Sequence, residues 1–222
     1  MKRKMLRLTI NNMVKGLVKA LPLCLFAILL FFASCGKDET PTVDVYENWQ
    51  QRNDAFMASL EDSLKNGTGA WMKLTSYSKT PGSEKIGDCI YVKILEEKKP
   101  GETESPMFND SVRISYEGRL MPTKQPLNGT KFEDGKVFDT TVYGAYDART
   151  NATVRFKVSG LVNGFATAML HMHRGETWLV YIPYSLGYGS SVSNSLIPAY
   201  STLIFKVTLH EFAREGKALP KV

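Results

Sequence analysis

Few side chains in this 222-residue chain are placed to act as an acid, a base or a nucleophile. His171 and His173 flank Met172, a spacing that can seat a metal, but no third or fourth ligand is in view. At the end of a short apolar helix they suit a C-terminal capping role instead, where positive charge is favoured. Ser185, Ser190, Ser191, Ser193 and Ser195 crowd one loop without the Gly-x-Ser-x-Gly elbow that presents a nucleophilic serine. Cys89 heads a β-type run and reads as a buried strand residue. The distinctive stretch is Val154–Phe205, dense in aromatics and aliphatics where strands, one short helix and tight turns meet. That composition suits a pocket working by shape and dryness, with no metal and no cofactor.

The elements that must hold such a pocket follow from periodicity. Trp49, Phe56, Met57, Leu60 and Leu64 recur at helical spacing, which predicts an amphipathic helix with this stripe in the core and a stop at Asn66-Gly67. Residues 71–74 fit a short strand or the end of a second helix. Residues 88–95, 110–118, 136–141, 154–158, 177–182 and 201–212 carry the alternation or β-branched enrichment of strands. A short helix spans 165–172 and ends at Arg174-Gly175. Residues 121–136 form a turn-rich surface excursion, and 183–195 a long Ser/Gly/Tyr loop. The charged residues after Ala213 predict a frayed tail. Short strands around one helix make an α+β domain.

The formal net charge of +6 is misleading. Residues 1–34 hold Lys2, Arg3, Lys4, Arg7, Lys15 and Lys19 and no acid, and without them 22 basic residues face 22 acidic ones. A nucleic-acid partner loses its support. The basic start, the apolar run from Ala20 to Phe32 and the small residues after it read as a secretory signal, with an N-terminal anchor helix as the alternative. Phe32-Ala33-Ser34-Cys35 resembles the bacterial lipobox, whose cysteine is lipidated, although Phe32 stands where leucine is usual. Lys37-Asp38-Glu39 is similar to a short signal for surface export. Cleavage before Cys35 would leave Cys89 as the only other cysteine, so no internal disulfide forms.

Five pieces in order resemble the FKBP-type peptidyl-prolyl cis–trans isomerase domain. They are Val112–Gly118, Gly135–Thr141, Val162–Phe165, Leu186–Gly189 and Ile197-Pro198, the last followed by Ser201–Phe205. The resemblance spans about 87–212 and implies a twisted antiparallel β-sheet wrapped around a short α-helix, preceded here by a helical N-terminal extension over 46–86. The whole chain then divides into signal 1–34, tether 35–45, extension 46–86, isomerase domain 87–212 and tail 213–222. The resemblance also places Tyr116, Phe138, Asp139, Val162, Phe165, Tyr188 and Phe205 in the catalytic pocket, with Leu161 and Ile197 binding substrate. Phe165 would be the floor, and Phe138 and Phe205 walls around a proline ring. Tyr188 and the Val162 N–H would hold substrate carbonyls. Asp139 would be a buried charge paired with Tyr116.

The implied substrates are proline-containing polypeptides of the cell envelope. The implied location is the outer membrane, through a lipid on Cys35 and facing either side of it. The sequence departs from the family pattern at Phe165, where tryptophan is usual, and in a shortened segment between Phe156 and Val162. It departs again at Val154, where an aromatic wall is common, at Ser193, near a usual histidine, and in the longer 121–136 excursion. These departures also fit a second reading, a non-catalytic peptide-binding or scaffold lipoprotein with 46–86 as its partner surface or dimerisation arm.

Overall fold

A computed structural model describes residues 44–124, 131–144 and 152–220. The signal 1–34, Cys35 and all but the last residues of the tether lie outside the described residues. Among those described, no helix is long and apolar enough to cross a membrane.

Seven strands form one antiparallel sheet: β1 (Ala70–Thr75), β2 (Cys89–Glu96), β3 (Ser111–Leu120), β4 (Val137–Thr140), β5 (Val154–Lys157), β6 (Thr177–Ile182) and β7 (Leu203–Ala213). The order is β1-β2-β6-β7-β3-β4, and β5 shares with β4 the free edge of β3. Among the described residues two α-helices accompany the sheet, α1 (Trp49–Asn66) and α2 (Asn163–His171). The ambiguous residues 71–74 are thus strand, resolved by pairing of Trp71 with Lys93 and Leu74 with Ile90.

The two helices take opposite faces of the sheet. In β7, Phe205 and Val207 are buried on one face, while Lys206 on the other is exposed. The Phe205 face receives α2, whose Phe165 ring meets that of Phe205 edge-on with centroids 4.7 Å apart. Gly164 permits the close approach, since a Cβ there would lie 2.3 Å from Ile182 Cγ2 in β6. The other face carries Trp71, Tyr91, Tyr181 and Ile204, and α1 covers it. Phe56 packs on Tyr181 at 6.0 Å, and Glu61 accepts bonds from the Tyr91 hydroxyl at 2.5 Å and Lys73 Nζ at 2.7 Å. Trp49, Phe56, Met57 and Leu60 therefore join the same buried cluster as Phe165, Val180 and Leu209.

Two expectations change here. The helical extension over 46–86 is not set apart from a domain at 87–212. β1 is an edge strand of the common sheet, and residues 45–222 form one compact unit. The apolar stripe of α1 could reach the core only because this sheet face is aromatic rather than polar.

The tail is not frayed as far as Pro220. Asp110, 2 % exposed, binds Arg214 Nη1 at 2.7 Å and accepts from the Glu215 N–H at 3.1 Å. Arg113 reaches the Pro220 carbonyl at 2.5 Å. Charge in this tail serves pairing with a buried carboxylate, which composition alone does not reveal.

His171 closes α2, its Nδ1 2.8 Å from the Thr167 carbonyl. His173 lies in the following turn, where its N–H donates to Glu176 Oε2 at 2.7 Å.

Candidate active site

One cavity of about 410 Å³ collects all nine residues named from the sequence: Tyr116, Phe138, Asp139, Leu161, Val162, Phe165, Tyr188, Ile197 and Phe205. They come from six places in the chain, and each local structure has a reason. The β3–β4 register slips between Gly118/Asp139 and Arg119/Val137, so Phe138 is the extra residue of a bulge. Bulges re-aim side chains, and here the Phe138 ring lies edge-on to Phe205 at 5.4 Å. Gly118 leaves room for both rings, since a Cβ there would sit 2.6 Å from Phe138 Cζ and 2.7 Å from Phe205 Cε1.

The floor and walls are packed aromatic edges. Phe165 stands in the first turn of α2, 4 % exposed, with Tyr116 6.2 Å and Phe205 4.7 Å away between centroids. Tyr116 and Phe205 are 5.9 Å apart. Leu161 ends a 3-10 turn over Val158–Gly160, and Val162 caps α2, its carbonyl accepting from the Ala166 N–H at 2.9 Å. Among the described residues the Val162 N–H has no acceptor of its own. Ile197 is 2 % exposed and bridged to Asn194 across a tight turn. Tyr188, 45 % exposed at the mouth, sits between Gly187 and Gly189, the latter at φ 74°.

The electrostatics centre on one pair. The Tyr116 hydroxyl donates to Asp139 Oδ2 at 2.5 Å. Burial, and then the Asp139 carboxylate, push the Tyr116 phenol well above its ordinary range, so it stays protonated and keeps donating. Asp139 departs from expectation. It is not a buried charge but an exposed residue of edge strand β4 at the rim of the cavity, with Phe138 and Thr140 beside it half-buried.

The sequence missed three lining residues, Phe156, Gly160 and Asn194. Phe156 also corrects the reading of Val154 as a lost aromatic wall. The wall is Phe156, with its ring 6.3 Å from Tyr116, and its alternation with Arg155 and Lys157 was the available signal. Asn194, next to Ser193 in the long loop, lines the cavity, and Ser193 does not.

A second cavity, about 530 Å³, opens between the C-terminal half of α1 and the outer sheet face. Its lining includes Phe56, Leu60, Trp71, Phe132 and Tyr181, with Asp62 and Lys131 among its charged members. It brings none of the nine residues together, whereas the smaller cavity does. There a planar apolar ring can be gripped on several sides while donors at the rim hold carbonyl oxygens.

Residues 102–210 match the sequence family described as FKBP-type peptidyl-prolyl cis-trans isomerase. The chain is 32% identical over 136 residues to the peptidyl-prolyl cis-trans isomerase Mip of Coxiella burnetii, covering 61% of this chain and 50% of that protein. It is 29% identical over 159 residues to the outer membrane protein MIP of Legionella longbeachae, covering 72% and 58%. The chain thus spans little more than half the length of these relatives. A crystal structure of a peptidyl-prolyl cis-trans isomerase from Pseudomonas syringae pv. tomato aligns with a TM-score of 0.51 at 22% identity, over 76% of this chain and 96% of that one. That likeness concerns the fold.

Proposed function

The chain carries an FKBP-type peptidyl-prolyl cis-trans isomerase domain over residues 102–210, and on that premise we propose that its aromatic cavity rotates X–Pro bonds in polypeptide clients. The observation that carries this reading is the meeting of Phe138, Phe156, Phe165 and Phe205 with Tyr116 around one cavity.

The chemistry asked of the site is rotation about a bond whose barrier is ~18–20 kcal/mol. The planar amide owes that barrier to resonance, which also gives it a large dipole. A twisted amide has lost both. A dry, apolar pocket therefore destabilises the planar form relative to the twisted one. The proline ring sits on Phe165 between Phe138, Phe156 and Phe205. The Val162 N–H and the Tyr188 hydroxyl hold flanking carbonyls, and the closed Tyr116–Asp139 pair fixes one wall without moving a proton. No covalent intermediate forms, and no step needs a nucleophile.

The test follows cis-to-trans relaxation of a short X–Pro peptide with the protein lacking residues 1–35. Acceleration by the wild type, and its loss by at least about tenfold in Asp139→Val and Tyr188→Ala with unchanged circular dichroism, is the expected result. A wild-type rate equal to the uncatalysed one, which takes tens to hundreds of seconds, would leave the non-catalytic binding module as the reading.

We further propose that the protein is exported and held at the outer membrane by a lipid on Cys35, where it assists folding of envelope proteins. The basic start, the apolar run to Phe32 and the small residues before Cys35 support this. Cys35→Ser should move the protein from the membrane to the soluble envelope fraction. A variant that still sediments with membranes would count against the anchor.

A further inference from the structure

Behind the pocket, α1 is bound to the turn that carries part of its wall. Asn53 is fully buried in the middle of an otherwise apolar stripe. Its Oδ1 accepts the Thr202 N–H at 2.7 Å, and its Nδ2 donates to the Trp49 carbonyl at 2.7 Å. One turn earlier, Trp49 Nε1 donates to Ser201 Oγ at 2.9 Å, and that hydroxyl donates on to the Pro198 carbonyl at 2.7 Å. Ser201 and Thr202 are buried as well.

The turn so held is strained. Tyr200 has φ 60°, a conformation that aromatic residues seldom adopt and that persists only when neighbours impose it. Its N–H donates to the Gly189 carbonyl at 3.0 Å, and its ring meets Tyr184 edge-on at 5.2 Å. Gly189 follows Tyr188, and Ile197 precedes Pro198. The same five residues, 198–202, therefore tie together the two pocket residues of the long loop.

We propose that Asn53, with Trp49, is a positioning residue: from the far face of the sheet, α1 fixes the pocket wall formed by Ile197 and Tyr188. This rests on the pocket reading above. It assigns α1 a role beyond packing, because loss of one side-chain carbonyl would free the Thr202 N–H and let Tyr200 leave its left-handed conformation. The wall would then shift while the floor, Phe165 with Phe205, stays in place.

The experiment compares Asn53→Ala with Leu60→Ala. Leu60 is buried on the same helix but makes no bond to the turn, so its variant controls for lost stability. Two quantities are read for each, kcat/KM on an X–Pro peptide and amide hydrogen exchange over residues 186–202. Asn53→Ala should lower kcat/KM about tenfold, mainly through KM, and speed exchange in the loop about tenfold. Leu60→Ala, at equal or greater loss of Tm, should move neither. Should Asn53→Ala fail to fold, Trp49→Phe keeps an aromatic ring in the core while removing the indole N–H that binds Ser201, and should give the same pattern at smaller size. Loop exchange that is unchanged in Asn53→Ala, or equally raised in Leu60→Ala, overturns the proposal. If the wild type proves inactive, the isomerase reading fails, and the exchange measurement alone still decides this one.

Discussion

Replacing Gly118 by alanine closes the pocket and leaves the fold standing. The added methyl would come within 2.7 Å of both Phe138 and Phe205, the two rings that reach over Gly118 from β4 and β7 on either side of β3. Phe205 is 7 % exposed and wedged between Phe165 and Tyr116, so it cannot retreat. Phe138 is half-buried on an edge strand and must turn instead, into the space the proline ring needs. Overpacking of this kind costs about 1–3 kcal/mol, which a domain survives. Misplacement of a binding group by about 1 Å costs activity on the order of 100-fold. The expected outcome is a kcat/KM at least about 100-fold lower with a cooperative thermal transition still present. Retained activity would mean that Phe138 is not a wall of the working site.

Removal of α1 has the largest expected effect on stability. A chain starting at Thr68 would lose Trp49, Phe56, Met57 and Leu60 from the buried cluster and uncover Tyr91, Tyr181 and Ile204. Truncating a single buried Trp or Phe costs about 3–5 kcal/mol, against a total of about 5–15 for a domain. The shortened chain should lose at least about 5 kcal/mol of unfolding free energy in urea titration. A loss under about 1 kcal/mol would show that α1 only rests on the sheet.

The same docking weakens in acid. The Lys73 ammonium, then the Tyr91 hydroxyl, hold the Glu61 carboxyl below the usual glutamate range. A carboxyl with a lowered folded pKa stabilises fully above its unfolded value, about 4.3, and that contribution fades as pH falls through the lower folded value. The stability gap between wild type and Glu61→Gln should therefore shrink as pH drops below about 4.

The two halves of the molecule were not equally legible in the sequence. Strands such as 110–118 alternate apolar and polar residues, and the nine pocket residues were recognisable because their motifs come in a fixed order. The stripe of α1 declared a buried face but not its partner, since nothing local says that Tyr91, Tyr181 and Ile204 turn to the outer side. Asn53 was invisible, because a polar residue on a helix usually means solvent, and only the three-dimensional meeting with Thr202 makes it a latch. Phe156 was read as a strand residue without its edge. Pairing with Val112 brings it beside Tyr116, and pairing is a long-range property. Asp139 was taken as buried from the resemblance, whereas its place on edge strand β4 leaves it open to water.

The central claim is that an X–Pro bond turns inside the aromatic cavity. Two-dimensional NMR exchange on an isotope-labelled X–Pro peptide, with substoichiometric protein, tests it most directly when paired with amide shift mapping on the protein. The account predicts cis–trans exchange cross-peaks that the peptide alone lacks, with shifts gathered at Val162, Phe165, Tyr188, Ile197 and Phe205. Absence of exchange, or shifts gathered instead around Trp71 and Tyr181 beneath α1, would contradict it.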